Sequence, residues 1–407
     1  MGFVIVMVTT SYPRFPGDGV GTFMEPIATC IAARGHEVHV VAPWHPRVTR
    51  APSEKGVQYH FFKYAPHPSL NVFGYAEAMR ADVRVRRTAF LAAPLAIAAG
   101  WRAARQVARE HNAMIMHGHW VIPGGAIALA AAGRLPLVVS LHGSDVFVAE
   151  KLTPARMVAQ RVFRRAAAIT ACSPDLAERA VRLGADAARV EVVPYGVDVA
   201  RFRPDSSARA RLRQRLGITD QTVLVVAAGR LVRKKGFEYF IDAIARLPRS
   251  LDVVAALAGD GDLRQELRAR IEAAGVPERV HLLGNQPQHE VAAWLAAADI
   301  VVVPSVRDDS GNVDGLPNLV LEALASGTPL VTTEAGGIGS VVQPDVTAVV
   351  VPERAAAALA EAIQRLATDP ARRNRLGTAA RHLAIERFGW EETARKFEAA
   401  YERALAK

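Results

Sequence analysis

The run Val301-Val-Val-Pro-Ser-Val-Arg-Asp-Asp-Ser-Gly-Asn-Val-Asp314-Gly-Leu-Pro-Asn-Leu-Val-Leu-Glu322 reads as an apolar strand, a polar loop and a helix that opens immediately after Asp314-Gly315. Pro, Ser, Gly and Asn punctuate the exit of the strand, and the apolar residues resume beyond them. Asp314 and Glu322 stand eight positions apart, with the backbone N–H groups of a helix N-terminus between them. Donors and acceptors in that order suit an anionic, hydroxyl-rich ligand such as a sugar diphosphate.

Outward from this run, short β-branched segments alternate with longer Ala-rich helical patterns: Val4 to Thr9, Val38 to Ala42, Met114 to His117, Leu137 to Leu141, Ala168 to Ala171 and Val190 to Val193. The series restarts at Val223 to Ala228, Val253 to Ala258, Val280 to Leu283, Ile300 to Val303, Leu330 to Thr332 and Ala348 to Val351. Strands alternating with helices make βαβ units, so two doubly wound, Rossmann-like α/β domains are expected. The chain has 407 residues, half of them apolar, which exceeds the size at which a single core keeps growing. The connection Pro194-Tyr-Gly-Val-Asp-Val-Ala-Arg-Phe-Arg-Pro204 is punctuated by Pro and Gly, which places the boundary there: 1–196 and 197–387, with a helix over 388–407 crossing back to brace the first domain.

Composition excludes several classes. Cys30 and Cys172 are the only cysteines, lie far apart and offer neither a disulfide framework nor metal-ligand spacing, so a reducing compartment and no metal centre are expected. The start Met-Gly-Phe-Val-Ile-Val-Met-Val lacks the basic region of a signal peptide, and Leu91 to Gly100 is too short to span a bilayer. A cytoplasmic location follows as the expectation. Residues 1–196 carry 22 Lys and Arg against 13 Asp and Glu, leaving 28 against 27 for the remainder. Arg80, Arg84, Arg86, Arg87, Arg102, Arg105 and Arg109 flank apolar helical patches, a pattern that attracts anionic headgroups at the inner face of a membrane or a phosphorylated acceptor; a solvated basic face is the bland reading. Aromatic residues are too few, and recognisable motifs too absent, for nucleic-acid binding to be the better reading.

Four groups of residues carry chemistry. Gly229-Arg230-Leu-Val-Arg-Lys-Lys235-Gly236 follows the first strand of the second domain, where such sheets bind ligands; Arg230 offers a planar fork and Lys235 a compact charge to a diphosphate. The spacing is not that of a phosphate-binding P-loop. Asp314 and Glu322 are spaced wrongly for the paired acids of a glycosidase or for a calcium loop, and better suit hydroxyl recognition by Asp314 at the sugar and Glu322 at the ribose. Gly17-Asp-Gly19-Val-Gly21 follows the first strand and lets a ligand approach the backbone, yet Ala42-Pro43-Trp44 stands where a nicotinamide-binding domain places its acid. His117-Gly118-His119-Trp120 and His142-Gly143-Ser144-Asp145 both follow strands, and zinc would lack a third ligand there.

These strings, with Ala258-Gly-Asp-Gly-Asp262, Val280-His-Leu-Leu-Gly284, Ala298-Asp299, Val303-Pro-Ser305 and Gly336-Gly-Ile338, resemble the retaining glycosyltransferases of family four, which have the GT-B fold of two Rossmann-like domains facing a central cleft. The likeness runs over essentially the whole chain. It implies a hexose moved from a nucleoside-diphosphate sugar to a glycan, lipid-linked or small-molecule acceptor, in cell-surface polysaccharide or glycolipid synthesis and without a metal or other cofactor. It further implies His142, Arg230, Lys235 and Asp314 at the reacting centre, donor contacts at Gly19, Gly21, Leu283, Gly315, Leu316, Asn318, Leu319 and Glu322, and acceptor contacts at His119, Trp120 and Asp145. The family usually has Glu where Asp314 stands, a shorter arm that bears on which sugar hydroxyl is gripped. The alternatives are a nucleotide-sugar 2-epimerase of similar architecture and, from another class, a basic nucleic-acid-binding protein.

Overall fold

A computed structural model describes residues 2–65, 67, 71, 73–75, 79–80, 84–85 and 87–406, with backbone alone at 79–80, 84–85 and 87–91. The chain divides into two compact units, Met1–Gly196 together with Trp390–Lys407, and Val197–Gly389.

In the first unit the strands are β1 (Val4–Val8), β2 (Glu37–Pro43), β3 (Ser53–Glu54), β4 (Val57–Phe62), a short hairpin of β5 (Met79–Arg80) and β6 (Arg84–Val85), then β7 (Ile115–His119), β8 (Leu137–Leu141), β9 (Ala168–Ala171) and β10 (Val190–Val192). Apart from the hairpin they form one sheet in the order β10-β9-β8-β7-β1-β2-β4-β3, parallel except for β3. The interior strands are fully buried because helices cover both faces, which is why they read as unbroken apolar runs. The strand β4, next to the edge, went unread in the sequence: Val57-Gln-Tyr-His-Phe-Phe alternates polar with apolar residues, the period of a strand near an edge rather than of a central one.

The second unit holds β11 (Val223–Ala228), β12 (Val253–Ala258), β13 (Val280–Gly284), β14 (Ile300–Val303), β15 (Leu330–Thr332) and β16 (Ala348–Val350), all parallel in the order β13-β12-β11-β14-β15-β16. Its helix Ser206–Leu216 is capped by Asp205, whose side chain accepts from Ser207 N and Ala208 N at 3.0 Å each, and it ends on Gly217 in the left-handed conformation. Phe237, Phe240, Ile241 and Ile244 from the helix Phe237–Arg246 bury against the sheet, each such side chain stabilising by about 1.5–3 kcal/mol. The unit's two ends meet: Val197 bridges Gly389, and Val197 N donates to Phe388 O at 2.7 Å.

Strand order reverses between β1 and β7 in one unit and between β11 and β14 in the other. At such a switch point the loops leaving adjacent strands diverge and open a crevice at their carboxyl ends, so the residues just after β1, β7, β11 and β14 are the ones the fold offers to a ligand.

The helix Trp390–Leu405 returns to the first unit, where the hydroxyl of fully buried Tyr401 lies 2.8 Å from His117 Nδ1 and Phe397 packs on the same imidazole. His117 Nε2 meets Ser140 Oγ at 2.7 Å, and Ser140 Oγ meets Thr170 Oγ1 at 2.7 Å, so the helix is tied to three strands by a closed polar chain. His117 is therefore a structural residue. Among the described residues no helix is long and apolar enough to cross a membrane. Arg86 lies outside the described residues, as do the side chains of Arg80, Arg84 and Arg87.

Tyr401→Phe strands the Nδ1 of a buried imidazole, which costs about 1–3 kcal/mol. We expect a lower urea midpoint for the tryptophan-monitored transition, since Trp294 is the single tryptophan of the second unit; an unchanged midpoint would show that the chain through His117 carries no stability.

Candidate functional site

In the second unit, β11 ends at Ala228 and the chain turns through Gly229 and Arg230 into a single 3₁₀ turn, Arg233–Lys235. Gly236 follows with φ +66°, and a Cβ there would sit 2.0 Å from Pro304 O, so only glycine lets this turn close on the exit of β14. Val306 N donates to Lys234 O at 2.9 Å and joins the two loops. The result brings Lys234 Nζ to 3.1 Å from Asp314 Oδ1 and Lys235 Nζ to 2.6 Å from Asp314 Oδ2, with all three side chains more than four-fifths buried. Gly336, at φ +62°, backs the same loop: its Cβ would lie 1.9 Å from Asp314 O.

Burial alone would push the Asp314 carboxyl up, but the ammonium groups of Lys235 and then Lys234 override it and hold the group well below the usual carboxylate range. One carboxylate therefore faces two cations. Arg230, exposed at the surface, lies within electrostatic reach of Asp314 and Asp262, and adds a third positive charge to the same loops. The positive charges thus outnumber the carboxylate they face, at a strand switch point.

The helix of the opening sequence begins at Asn318, two residues later than expected, because Leu316 and Pro317 are buried in an extended turn after Gly315. Glu322 therefore sits one turn into the helix. Burial pushes its carboxyl up to about 7, against the pull of a hydrogen bond from Gln288 and the charges of Lys235 and Arg201. Leu319 is buried beside it, Asn318 is half-buried, and Leu283 ends β13, two strands from β11, where its carbonyl accepts from Gln286 Nε2 at 2.9 Å.

In the first unit the loops after β7 and β8 make an aromatic box. His119 Nδ1 lies 3.2 Å from His142 Nε2, and His142 Nδ1 lies 2.8 Å from the Tyr195 hydroxyl. Phe23 stacks on Tyr195 with ring centroids 4.6 Å apart, and Trp120 lies 4.6 Å from His142. Trp120 has φ +60°, a strained conformation for a bulky side chain that its loop enforces through Trp120 N donating to Ser140 O at 2.8 Å. His119 is fully buried and its Nε2 has no hydrogen-bond partner among the described residues. Burial pushes His119 down to about 3 and His142 well below the usual imidazole range, so both are neutral relays of hydrogen bonds at pH 7.

Asp145 departs from the acceptor contact expected of it. Its Oδ2 accepts from Val121 N at 2.7 Å and its Oδ1 from Gly143 N at 2.9 Å and His142 N at 3.3 Å, which makes it the residue that fixes both His-bearing loops. Gly19 and Gly21 belong to this unit and not to the one holding Arg230, Lys235 and Asp314. Gly21 has φ +62° in the turn before the helix Met24–Ala33, while a side chain at Gly19 would meet nothing within 4 Å. Lys234, Gln288, Phe23 and Tyr195 escaped the sequence reading. Lys234 was legible as the neighbour of Lys235, since a 3₁₀ turn directs adjacent residues to neighbouring sides; Phe23 and Tyr195 join only through the fold.

Two parallel-sheet units, each offering a ligand-ready switch point, one cationic and one aromatic, define a GT-B glycosyltransferase. The sequence model of Glycosyl transferases group 1 matches residues 208–383 and that of Glycosyltransferase Family 4 matches residues 17–201. D-inositol 3-phosphate glycosyltransferase of Xylanimonas cellulosilytica is 35% identical over 296 residues, 69% of either chain. The GDP-mannose-dependent alpha-(1-6)-phosphatidylinositol monomannoside mannosyltransferase of Mycobacterium tuberculosis is 28% identical over 96% of both chains. Among solved structures, sucrose-phosphate synthase from Thermosynechococcus elongatus superposes with a TM-score of 0.81 at 20% identity, covering 99% of each chain. The chain belongs to family 4 of the glycosyltransferases, a family of retaining hexosyltransferases.

Glu322 sets a pH dependence. Its proton leaves near 4.5 in the unfolded chain and near 7 in the folded unit. The folded state keeps the proton longer, so stability of the second unit falls as pH rises through that window, by up to about 3 kcal/mol, and then levels off. Glu322→Gln should flatten the difference between denaturant midpoints taken at about pH 5 and about pH 8; a variant retaining the full wild-type slope would place the titration elsewhere.

Proposed function

We propose that the second unit binds a nucleoside-diphosphate hexose through Arg230, Lys234 and Lys235, and that the first unit presents the acceptor. The observation that carries this reading is the pair of lysines closed on Asp314. A diphosphate brings two negative charges to a place where two ammonium groups share one, so it is the stronger partner for at least one of them, and Asp314 is released to accept a hydrogen bond from a sugar hydroxyl. The pairing thus keeps the cations in place before the donor arrives and returns the carboxylate when it does. Glu322 is suited to the ribose hydroxyls, because its carboxyl oxygens accept hydrogen bonds from them.

Retention then follows by front-face attack. The leaving phosphate takes the acceptor proton, and Arg230 and Lys235 stabilise the charge it gains as its bond to the sugar breaks. The lysine and arginine charges supply what a divalent ion supplies in other transferases, which supports chemistry without a metal. His142 is neutral and both its ring nitrogens are engaged, by His119 and Tyr195, so a sugar hydroxyl would bind it by replacing one of those two partners. The relatives' names, which include a GDP-mannose donor and inositol-based acceptors, favour a mannose-like hexose and a phosphorylated or lipid-linked polyol in glycolipid or cell-surface polysaccharide synthesis. The basic excess of the first unit supports a negatively charged acceptor.

Membrane contact is part of the proposal. Leu95 (59% exposed) on the helix that carries Arg102, Arg105 and Arg109, and Leu152 and Met157 (50% and 65%) at the helix Thr153–Arg165, expose apolar surface beside arginines, the composition of an interfacial helix. Vesicles containing anionic lipid should sediment the protein at low salt and release it at high salt; equal behaviour on neutral vesicles would remove membrane docking from the proposal.

Lys235→Ala should lower kcat/KM by about 10²–10³ with whichever sugar nucleotide gives the largest thermal shift to the wild-type protein, and should abolish that shift while the circular dichroism spectrum is unchanged. Near-normal transfer by this variant would overturn the assignment. Consumption of the donor without acceptor, yielding an epimer, would replace transfer by epimerisation.

A further inference from the structure

On β2 and β4, beneath the helix Arg87–Glu110, a second group of histidines converges away from His119 and His142. The parallel register pairs His39 with Gln58 and Val41 with His60, so Glu37, His39 and His60 project from the same face of β2 and β4. The helix Arg87–Glu110 packs over that face and delivers His111 directly after its last turn, where His111 N donates to Val107 O at 3.1 Å. His39 Nδ1 is 3.0 Å from His60 Nε2, and the His39 and His111 rings lie tilted by 37° with centroids 4.0 Å apart. One ring nitrogen from each of the three lies within 4.8 Å of the others. On the far side, Glu37 Oε1 is 2.8 Å from His39 Nε2 and 3.6 Å from His111 Nδ1.

Three imidazoles from three separate segments, with a carboxylate behind two of them, are the donor set of a transition-metal site. We propose that His39, His60 and His111 bind one divalent metal ion of the zinc class, and that Glu37 orients His39 from its second ring nitrogen. Imidazole nitrogens about 2.0–2.1 Å from a tetrahedral ion stand about 3.3 Å apart, so the existing separations close onto an ion through small side-chain rotations. A carboxylate on the other nitrogen of a ligating histidine fixes its tautomer and raises its basicity, which is the position Glu37 occupies. Imidazole ligands select zinc, copper and nickel over magnesium and calcium. The ion would join β2, β4 and the end of the overlying helix. Its ligands lie on β2, on β4 and after the helix Arg87–Glu110, not on the loops after β7, β8, β11 or β14, so the proposal stands or falls apart from the donor site.

The test uses the full chain without a polyhistidine tag, stripped with EDTA and exchanged into chelator-free buffer. Titration with zinc chloride by calorimetry, and with cobalt chloride by visible absorption, should give one equivalent of binding, the intense bands of tetrahedral cobalt and a rise in Tm. His111→Asn and His60→Asn should each abolish the binding, and Glu37→Gln should weaken it by about 10–100-fold. His382→Asn, which removes an exposed histidine of the other unit, should change nothing. The His111 side chain is 30% exposed, so its variant is expected to fold and to keep the metal-free Tm of the wild type. Absence of stoichiometric binding, or equal binding by the His111 variant, would overturn the proposal and leave the cluster as a hydrogen-bonded histidine chain.

Discussion

The pairing of Lys234 and Lys235 with Asp314 organises the second unit. It joins the loop after β11 to the loop after β14, the two strands between which the strand order reverses, and it does so with charge rather than with apolar contact. A hydrophobic closure at this point would be more stable alone and useless to a polar ligand. An ionic closure with excess positive charge holds the crevice in shape while keeping an affinity that any phosphate can claim. The glycines around it follow from the same requirement: at Gly236 and Gly336 a Cβ would collide with the backbone that carries the pair, so the closeness of the loops and the absence of side chains there are one fact.

The first unit solves a different problem. The histidines after β7 and β8 are not charged, and their positions are fixed from behind. Asp145 gathers three backbone amides of the two His-bearing loops, Tyr195 and His119 grip the two nitrogens of His142, and Trp120 is held at a backbone angle that bulky residues avoid. Each contact narrows the orientation of an imidazole without changing its charge state. The burial that makes these rings poor bases also makes them precise hydrogen-bond partners.

The sequence displayed the central strands of both sheets because burial on two faces leaves no alternation to misread; Val223 to Ala228 and Leu137 to Leu141 are of this kind. It concealed β4, where Gln58 and His60 interrupt the apolar positions, and it misplaced the start of the helix carrying Glu322, because Leu316 and Pro317 look helical by composition yet lie in the turn. Arg230, Lys235, Asp314 and Glu322 could be read off because a loop after a buried strand is where this architecture exposes chemistry. Phe23, Tyr195 and the three clustered histidines could not, since His39, His60 and His111 are separated by 21 and 51 positions and meet only once β2 pairs with β4 and the long helix folds across them. Asp145 shows the converse error: a carboxylate beside a functional histidine attracts a ligand role, and only its hydrogen bonds reveal the backbone as its partner.

The bridge between Val197 and Gly389 has an evolutionary reading. The second unit enters and leaves the chain at adjacent points, while the first is assembled from two distant stretches, with Trp390 packed so closely on Gly196 that a Cβ there would come within 2.6 Å of its ring. Topologically, one globule is a contiguous insert in a split host. A crossover event at two neighbouring seams would swap the insert whole and leave the host's core sealed, so lineages with this layout can exchange one globule as a cassette while the other descends unchanged.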